Sequence, residues 1–322
     1  MNKAPLLLGG TGRCGTTILG KMISTHKSVT SIPETRFLVD PGGVYDFVRS
    51  MDSWTPYSAD QAVRRLRKVL VDSATQNGFG KLLSTIESKF PALISNRLSP
   101  RYASLNVESF SPHFKKNIDS FFTDLVSIKF DMTWVGQQQF HPKSLQYVNQ
   151  DRHVIREKVK VFLGNYFEDV CRFQEVEYYF EKNTWNILHL ETIAELWPDF
   201  KLVCVHRNPY EVIRSFSRQS WMPSDEVESA KVYVDLMNRY QELKSRYADS
   251  ILEVKFEDLA DQPDKILENI FNFYGIDAAD QRWQQISFNK DKITKTVDRT
   301  FSSSLSSVDG LETIIDMLGY AE

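Results

Sequence analysis

The chain has 322 residues, 42% of them apolar and 25% charged, with a formal net charge of -3. That balance fits a soluble globular protein with a large core, while the missing basic surplus argues against a nucleic-acid partner and no apolar run reaches membrane-spanning length. Three cysteines, Cys14, Cys171 and Cys204, are odd in number and far apart, which suits neither a disulfide framework nor a zinc site.

The first element is an apolar strand, Pro5-Leu6-Leu7-Leu8, running into Gly9-Gly10-Thr11-Gly12-Arg13-Cys14-Gly15-Thr16-Thr17 and then into an apolar helical pattern. A glycine-rich turn between strand and helix lets backbone N–H groups converge on an anion at the helix N-terminus. Gly10 and Gly15 have the spacing of a nucleotide triphosphatase loop, but Thr16 stands where its lysine would be, and the fixed cation is Arg13, inside the loop. Such a loop suits one phosphate carrying a second small oxyanion, as in a phosphosulfate. The apolar run at 4–8 is too short for a signal-peptide core, so a cytoplasmic location is expected.

From 40 to 174 no clear strand is visible. The stretch reads as a mostly helical insertion over the carboxyl edge of a sheet, including 152–171, where Ile155, Val159, Phe162, Tyr166 and Val170 share one helical face. Aromatics in it, among them Tyr45, Phe47, Trp54, Tyr57, Phe130 and Trp134, are candidates to shape a pocket. Three further strands are expected at 176–180, 201–205 and 251–254, and helices at 187–197, 211–216, 226–247 and 263–274. Alternation of this kind predicts an α/β fold with a parallel sheet flanked by helices, a single domain over 1–322.

A second anion site is expected after the third of these strands. Arg207 leaves the strand tip, Pro209 starts a helix, and Ser215 follows two helical turns later, so a guanidinium and a hydroxyl could grip a second phosphate. His206 is expected to be a hydrogen-bonded core residue rather than a catalytic one. No histidine and acidic spacing suggests a metal.

These segments together resemble the P-loop sulfotransferases that use 3′-phosphoadenosine 5′-phosphosulfate (PAPS), in the branch with tyrosylprotein and bacterial enzymes. Arg13-Cys14-Gly15-Thr16-Thr17-Ile18-Leu19, then His26-Lys27 and Glu34, is similar to the family's first motif. Arg207-Asn208-Pro209 with Ser215 is similar to its second. Lys182-Asn183-Thr184-Trp185-Asn186, Val254-Lys255-Phe256-Glu257-Asp258-Leu259 before Pro263, and Met317-Leu318-Gly319-Tyr320 resemble further family segments.

The resemblance implies a P-loop NTPase-like fold and the following roles. Glu34, in Pro33-Glu34-Thr35-Arg36, is the general base, near the end of a second strand. Arg13 and Lys182 stabilise the leaving oxygen. Gly12, Arg13, Cys14, Gly15, Thr16 and Thr17 hold the 5′-phosphosulfate, and Arg207 and Ser215 hold the 3′-phosphate. Arg36, Trp134 and His141 are acceptor-side candidates, and Lys290, Lys292, Lys295 or Arg299 could close over the nucleotide. The expected reaction is metal-free transfer to a hydroxyl or amine of a small natural-product-like acceptor, with adenosine 3′,5′-bisphosphate (PAP) released. A carbohydrate or a peptide tyrosine remains open as acceptor. A P-loop kinase and a non-catalytic nucleotide-binding protein are the rival readings.

Overall fold

The computed structural model describes residues 4–75, 105–132, 144–286, 305 and 307–320. The chain divides into two compact units. One comprises Ala4–Ser31, Phe180–Ala194 and Asp199–Glu322, and the other is built on Ile32–Tyr179 with Glu195–Pro198.

The first unit is an α/β structure around a four-stranded parallel sheet. Its strands are β1 (Leu6–Gly10), β4 (Phe180–Lys182), β5 (Lys201–His206) and β6 (Ile251–Lys255), in the order β4-β1-β5-β6. β1 is buried along its whole length, as a continuous aliphatic run in a parallel sheet requires. From β1 the chain first pairs on one side with β4 and then on the other with β5, so the order reverses at β1. In open sheets ligands bind outside the carboxyl ends of strands at such a point. Leu8 is level with Lys182, and Gly10 with Val205. The segments after β4, β1 and β5 therefore leave the same edge of the sheet.

Strand β4 begins at Phe180, four residues later than the sequence suggests. The reason is the preceding helix, Arg152–Gln174. Glu175 turns left-handed at φ 57°, and Val176 N–H returns to the Cys171 carbonyl at 2.9 Å, so residues 175 and 176 close the helix instead of opening a strand. The expected helix at 187–197 divides into a 3₁₀ segment, Thr184–Leu188, and an α-helix, Leu190–Leu196. The helix expected at 263–274 is found as Pro263–Tyr274.

The second unit is largely helical, with helices Val44–Ser50, Pro56–Ala74, Phe114–Leu125 and Arg152–Gln174. It also contains what the sequence did not announce, an antiparallel pair β2 (Val126–Asp131) and β3 (Ser144–Val148). Most of β2 faces solvent, so it lacks the apolar alternation by which strands are recognised. Two aromatics expected to shape a pocket are core residues instead: Tyr45 is 0% and Phe47 1% exposed. Trp54 donates its indole N–H to the Val148 carbonyl at 3.2 Å. Trp134 and His141 lie outside the described residues, as do Lys290, Lys292, Lys295 and Arg299.

Candidate active site

The glycine loop links β1 to the helix Thr16–Ile23 through three left-handed residues: Gly12 (φ 89°), Arg13 (φ 57°) and Gly15 (φ 101°). Consecutive amides in such conformations form a concave nest for an anion. Gly15 is the helix N-cap and offers no side-chain cap, while its carbonyl accepts from Ile18 and Leu19 N–H, each at 3.1 Å. Arg13 is a non-glycine residue held left-handed, a conformation that costs about 1–3 kcal/mol and marks sites where geometry matters. Glycine is needed at position 10 for room: a Cβ there would stand 2.5 Å from Cys14 Sγ and 2.8 Å from the Val205 carbonyl oxygen. At position 15 a Cβ would strike the Phe256 ring.

Cys14 is fully buried inside the loop, and burial pushes its thiol up to about 11. That shift favours the neutral thiol, in keeping with a side chain packed inside the loop.

Arg13 Nε donates to Ser215 Oγ at 2.9 Å, and Arg207 Nη1 reaches the Arg13 carbonyl oxygen at 3.4 Å. The glycine loop and the turn after β5 thus meet directly. Asn208 caps the helix Pro209–Phe216 by accepting from Tyr210 N–H at 3.0 Å, which places Ser215 in its last turn. Arg207 Nη2 also donates to Glu211 at 3.2 Å, and its guanidinium lies 5.6 Å from the Phe256 ring centroid. Its Nε is buried with no acceptor.

Lys182 ends β4, and its stem crosses Gly20 of the first helix. A Cβ on Gly20 would stand 2.7 Å from Lys182 Cδ. Asn183 N–H and Asn186 Nδ2 both donate to the Leu8 carbonyl, at 3.1 and 3.0 Å, and so pin the segment after β4 to β1. His26 is structural: Nε2 donates to the Asp277 carbonyl at 2.8 Å while Nδ1 accepts from Ser28 N–H.

Glu34 belongs to the other unit. Residues 31–35 form no strand, contrary to expectation, because the segment is set by side chains rather than by sheet pairing. Thr35 is buried with its hydroxyl 3.4 Å from Tyr179 Oη, which in turn donates to Tyr166 at 3.2 Å. Phe37 packs on Tyr166 and Phe114. Burial of Thr35 and Phe37 leaves Glu34 half-buried and Arg36 exposed, with Arg36 Nε donating to Asp40 at 3.2 Å.

His206 is a core residue, as expected. It is 5% exposed and bonded to Glu253 Oε1 at 2.9 Å.

Sequence reading did not single out Gly20 or Trp221, and it quoted Glu257 only within a family-like segment, without a role. A glycine within an apolar helical pattern was a usable signal for Gly20, whereas Trp221 and the contacts of Glu257 gain meaning from spatial neighbours. Among the described residues no cluster could hold a metal ion, and no helix is long and apolar enough to cross a membrane.

The model of a family described as "Sulfotransferase family" matches residues 5–280. Among solved structures, the sulfotransferase STF9 from Mycobacterium avium is 14% identical, covering 100% of this chain and 78% of that one, with a TM-score of 0.47. The sulfotransferase domain from the curacin biosynthetic pathway is 13% identical, with 99% of each chain covered and a TM-score of 0.47. That from the Synechococcus PCC 7002 olefin synthase is 15% identical, covering 100% of this chain and 98% of that one, with a TM-score of 0.44. No curated protein matches the chain.

Proposed function

The chain belongs to the sulfotransferase family, and from that premise we propose that it transfers a sulfuryl group from PAPS to a hydroxyl of a small acceptor. The observation that carries this reading is the meeting of Arg13, Ser215 and Arg207 at the left-handed loop, which gathers two guanidinium groups and a helix N-terminus at one sheet edge. The residues suit a donor with two anionic ends. The nest needs no loop lysine, and the buried Arg207 Nε lacks an acceptor that a phosphate oxygen would supply.

The donor supplies an activated sulfuryl group on a phosphate leaving group. Within the chain, the loop amides and Arg13 hold the phosphosulfate end, and Arg207 with Ser215 holds the 3′-phosphate. Lys182 would reach the bridging oxygen and neutralise charge as it develops there; removing one such donor would lower turnover by about 10²–10³-fold. Glu34 takes the acceptor proton, a contribution of about 10²–10⁴-fold. The new bond joins acceptor oxygen to sulfur, the sulfur–oxygen bond to the 5′-phosphate breaks, and the electron pair leaves with PAP. Positioning and charge stabilisation are the protein's main tasks, by analogy with phosphoryl transfer. The acceptor class we favour is a small hydroxylated metabolite.

The test is transfer of radiolabel from PAPS to a panel of hydroxylated small molecules, with Glu34→Gln and Lys182→Ala alongside. Labelled product that drops at least about a hundredfold in both variants supports the roles. Unchanged turnover in both removes them.

A further inference from the structure

The two edges of the small sheet in the helical unit are treated differently. Along β3 the outward side is closed. The Ser144 carbonyl accepts from Arg64 Nη2 at 2.8 Å, Gln146 N–H donates to Asp60 Oδ1 at 2.9 Å, and the Val148 carbonyl accepts from the Trp54 indole at 3.2 Å. Asp60 and Arg64 are themselves paired at 2.8 Å on the helix Pro56–Ala74. Every second residue of β3 thus turns its backbone away from β2, and Leu145 and Tyr147 between them turn theirs toward it, opposite Phe130 and Ile128. The same alternation along β2 sends the backbone groups of Lys129 and Asp131 outward. Among the described residues no further strand lies beside β2. It is an open edge, which is a template for another strand.

The side chains of this edge fit a copy of itself. Ile128 and Phe130 share one face of β2, the face on which Leu145 is buried, yet they are 58% and 46% exposed. They carry an apolar row past the last strand into water. Lys129 and Asp131 lie on the opposite face, both exposed and neither side chain paired with another described residue. A lone lysine on an edge guards it against self-pairing. Asp131 removes that guard in one register. With two copies of β2 antiparallel and Phe130 opposite Phe130, Lys129 of each copy stands opposite Asp131 of the other, and Ile128 stands opposite Met132. The residues so matched in charge are also those whose backbone groups point outward, so a single register forms both the ladder and the ion pairs. Centring the pair on Lys129 instead would set like charges against each other, and a shift that pairs odd with even positions would mix the apolar and charged faces.

We propose that β2 is a homodimerisation edge, pairing antiparallel with β2 of a second copy about a two-fold axis at Phe130. Such a contact is isologous: the axis repeats every contact, so both Lys129–Asp131 pairs form together. The interface is one strand deep on each side, at the small end for specific association, and the dimer is therefore concentration-dependent. The inference is independent of the reaction proposed above.

The test is sedimentation velocity on the full chain at about 1–200 μM, a range suited to a small interface, with Lys129→Glu and Asp131→Lys as charge reversals at exposed positions. Wild type should pass from monomer to dimer across this range. Each variant alone sets like charges opposite each other twice, and should weaken the dimer at least about ten-fold. An equimolar mixture of the two variants matches opposite charges at both places, and should recover dimer to within about three-fold of wild type. Recovery in the mixture also shows that both variants are folded. A wild type that stays monomeric throughout overturns the proposal and leaves the edge to a strand from a different protein. Single variants that dimerise like wild type place the contact elsewhere and overturn it too, as does a mixture that recovers nothing.

Discussion

Arg13 Nε donates to Ser215 Oγ at 2.9 Å, joining residues 202 positions apart. The sequence assigns them to opposite ends of one nucleotide, yet the structure puts them in contact. Ser215 therefore helps to orient the guanidinium of a residue whose backbone is already fixed at φ 57°. Ser215→Ala should raise the Kd for PAP about three- to ten-fold, in line with one hydrogen bond to a charged group at an exposed position. Arg13→Ala should lower kcat about 10²-fold or more. Calorimetric titration and initial rates check both, and a Ser215→Ala protein with wild-type affinity and rate would disconnect the pair.

Gly20 makes room for Lys182. An alanine at this position adds helix propensity worth about 1 kcal/mol, but its Cβ would stand 2.7 Å from Lys182 Cδ and displace that side chain. Gly20→Ala should be as stable as wild type or more so by thermal melting, bind PAP within two-fold, and turn over about ten-fold more slowly. A variant that melts lower and keeps its rate would mean that the glycine serves packing alone.

Glu257 ties the far end of the described chain to the turn after β5. One carboxylate oxygen accepts from Asn208 N–H at 3.0 Å, next to Arg207, and the other from Tyr320 Oη at 2.6 Å. Lys255 Nζ donates to the Gly319 carbonyl at 2.8 Å and stands 4.6 Å from the Tyr320 ring centroid. Tyr320→Phe should raise the KM for PAPS about three-fold, the worth of one such bond, and leave the KM for acceptor unchanged. Equal changes in both constants would point to general loosening.

Glu253 should contribute to the acid limit of stability. Burial alone would raise its carboxyl, but hydrogen bonds and charge from His206, Lys244 and Tyr240 outweigh it and hold the group at about 2, against an ordinary 4.5. A depressed carboxylate contributes stability that is complete above about pH 4.5 and is lost as the pH falls toward 2. The melting temperature of wild type should fall through that window. Glu253→Gln should start lower at neutral pH, by about 1–2 kcal/mol of stability for weakened charge-assisted bonds at a partly exposed site, and show a flatter acid limb. Parallel curves for the two proteins would exclude the assignment.

Legibility in the sequence followed the physics of each segment. The parallel strands were readable because burial on both faces makes them apolar runs, as in Leu6-Leu7-Leu8 and Leu202-Val203-Cys204-Val205. The helix Pro263–Tyr274 was readable because proline opens it and Gly275, at φ 79°, closes it. β2 was not, since a pair of strands with one member in water carries no burial pattern. The start of β4 was misplaced because a helix cap consumed residues that read as strand. Tyr45 and Phe47 looked like pocket residues because an aromatic side chain serves a core and a binding site equally well. The loop, Arg207 and Ser215 were named by motif, but the contact between Arg13 and Ser215 depends on adjacent β1 and β5, which spacing alone does not reveal.

The central claim is that the Arg13 loop and the Arg207 turn together bind a nucleotide with phosphates at both ends. Thermal unfolding with PAP, in the absence of magnesium, tests it most directly. At about a hundred times Kd, ligand binding adds about 2.7 kcal/mol and raises the melting temperature by several degrees. The account predicts that rise for PAP, its loss in Arg207→Ala, and no comparable shift with ATP and magnesium. Stabilisation by ATP with magnesium and not by PAP would contradict it and favour a kinase.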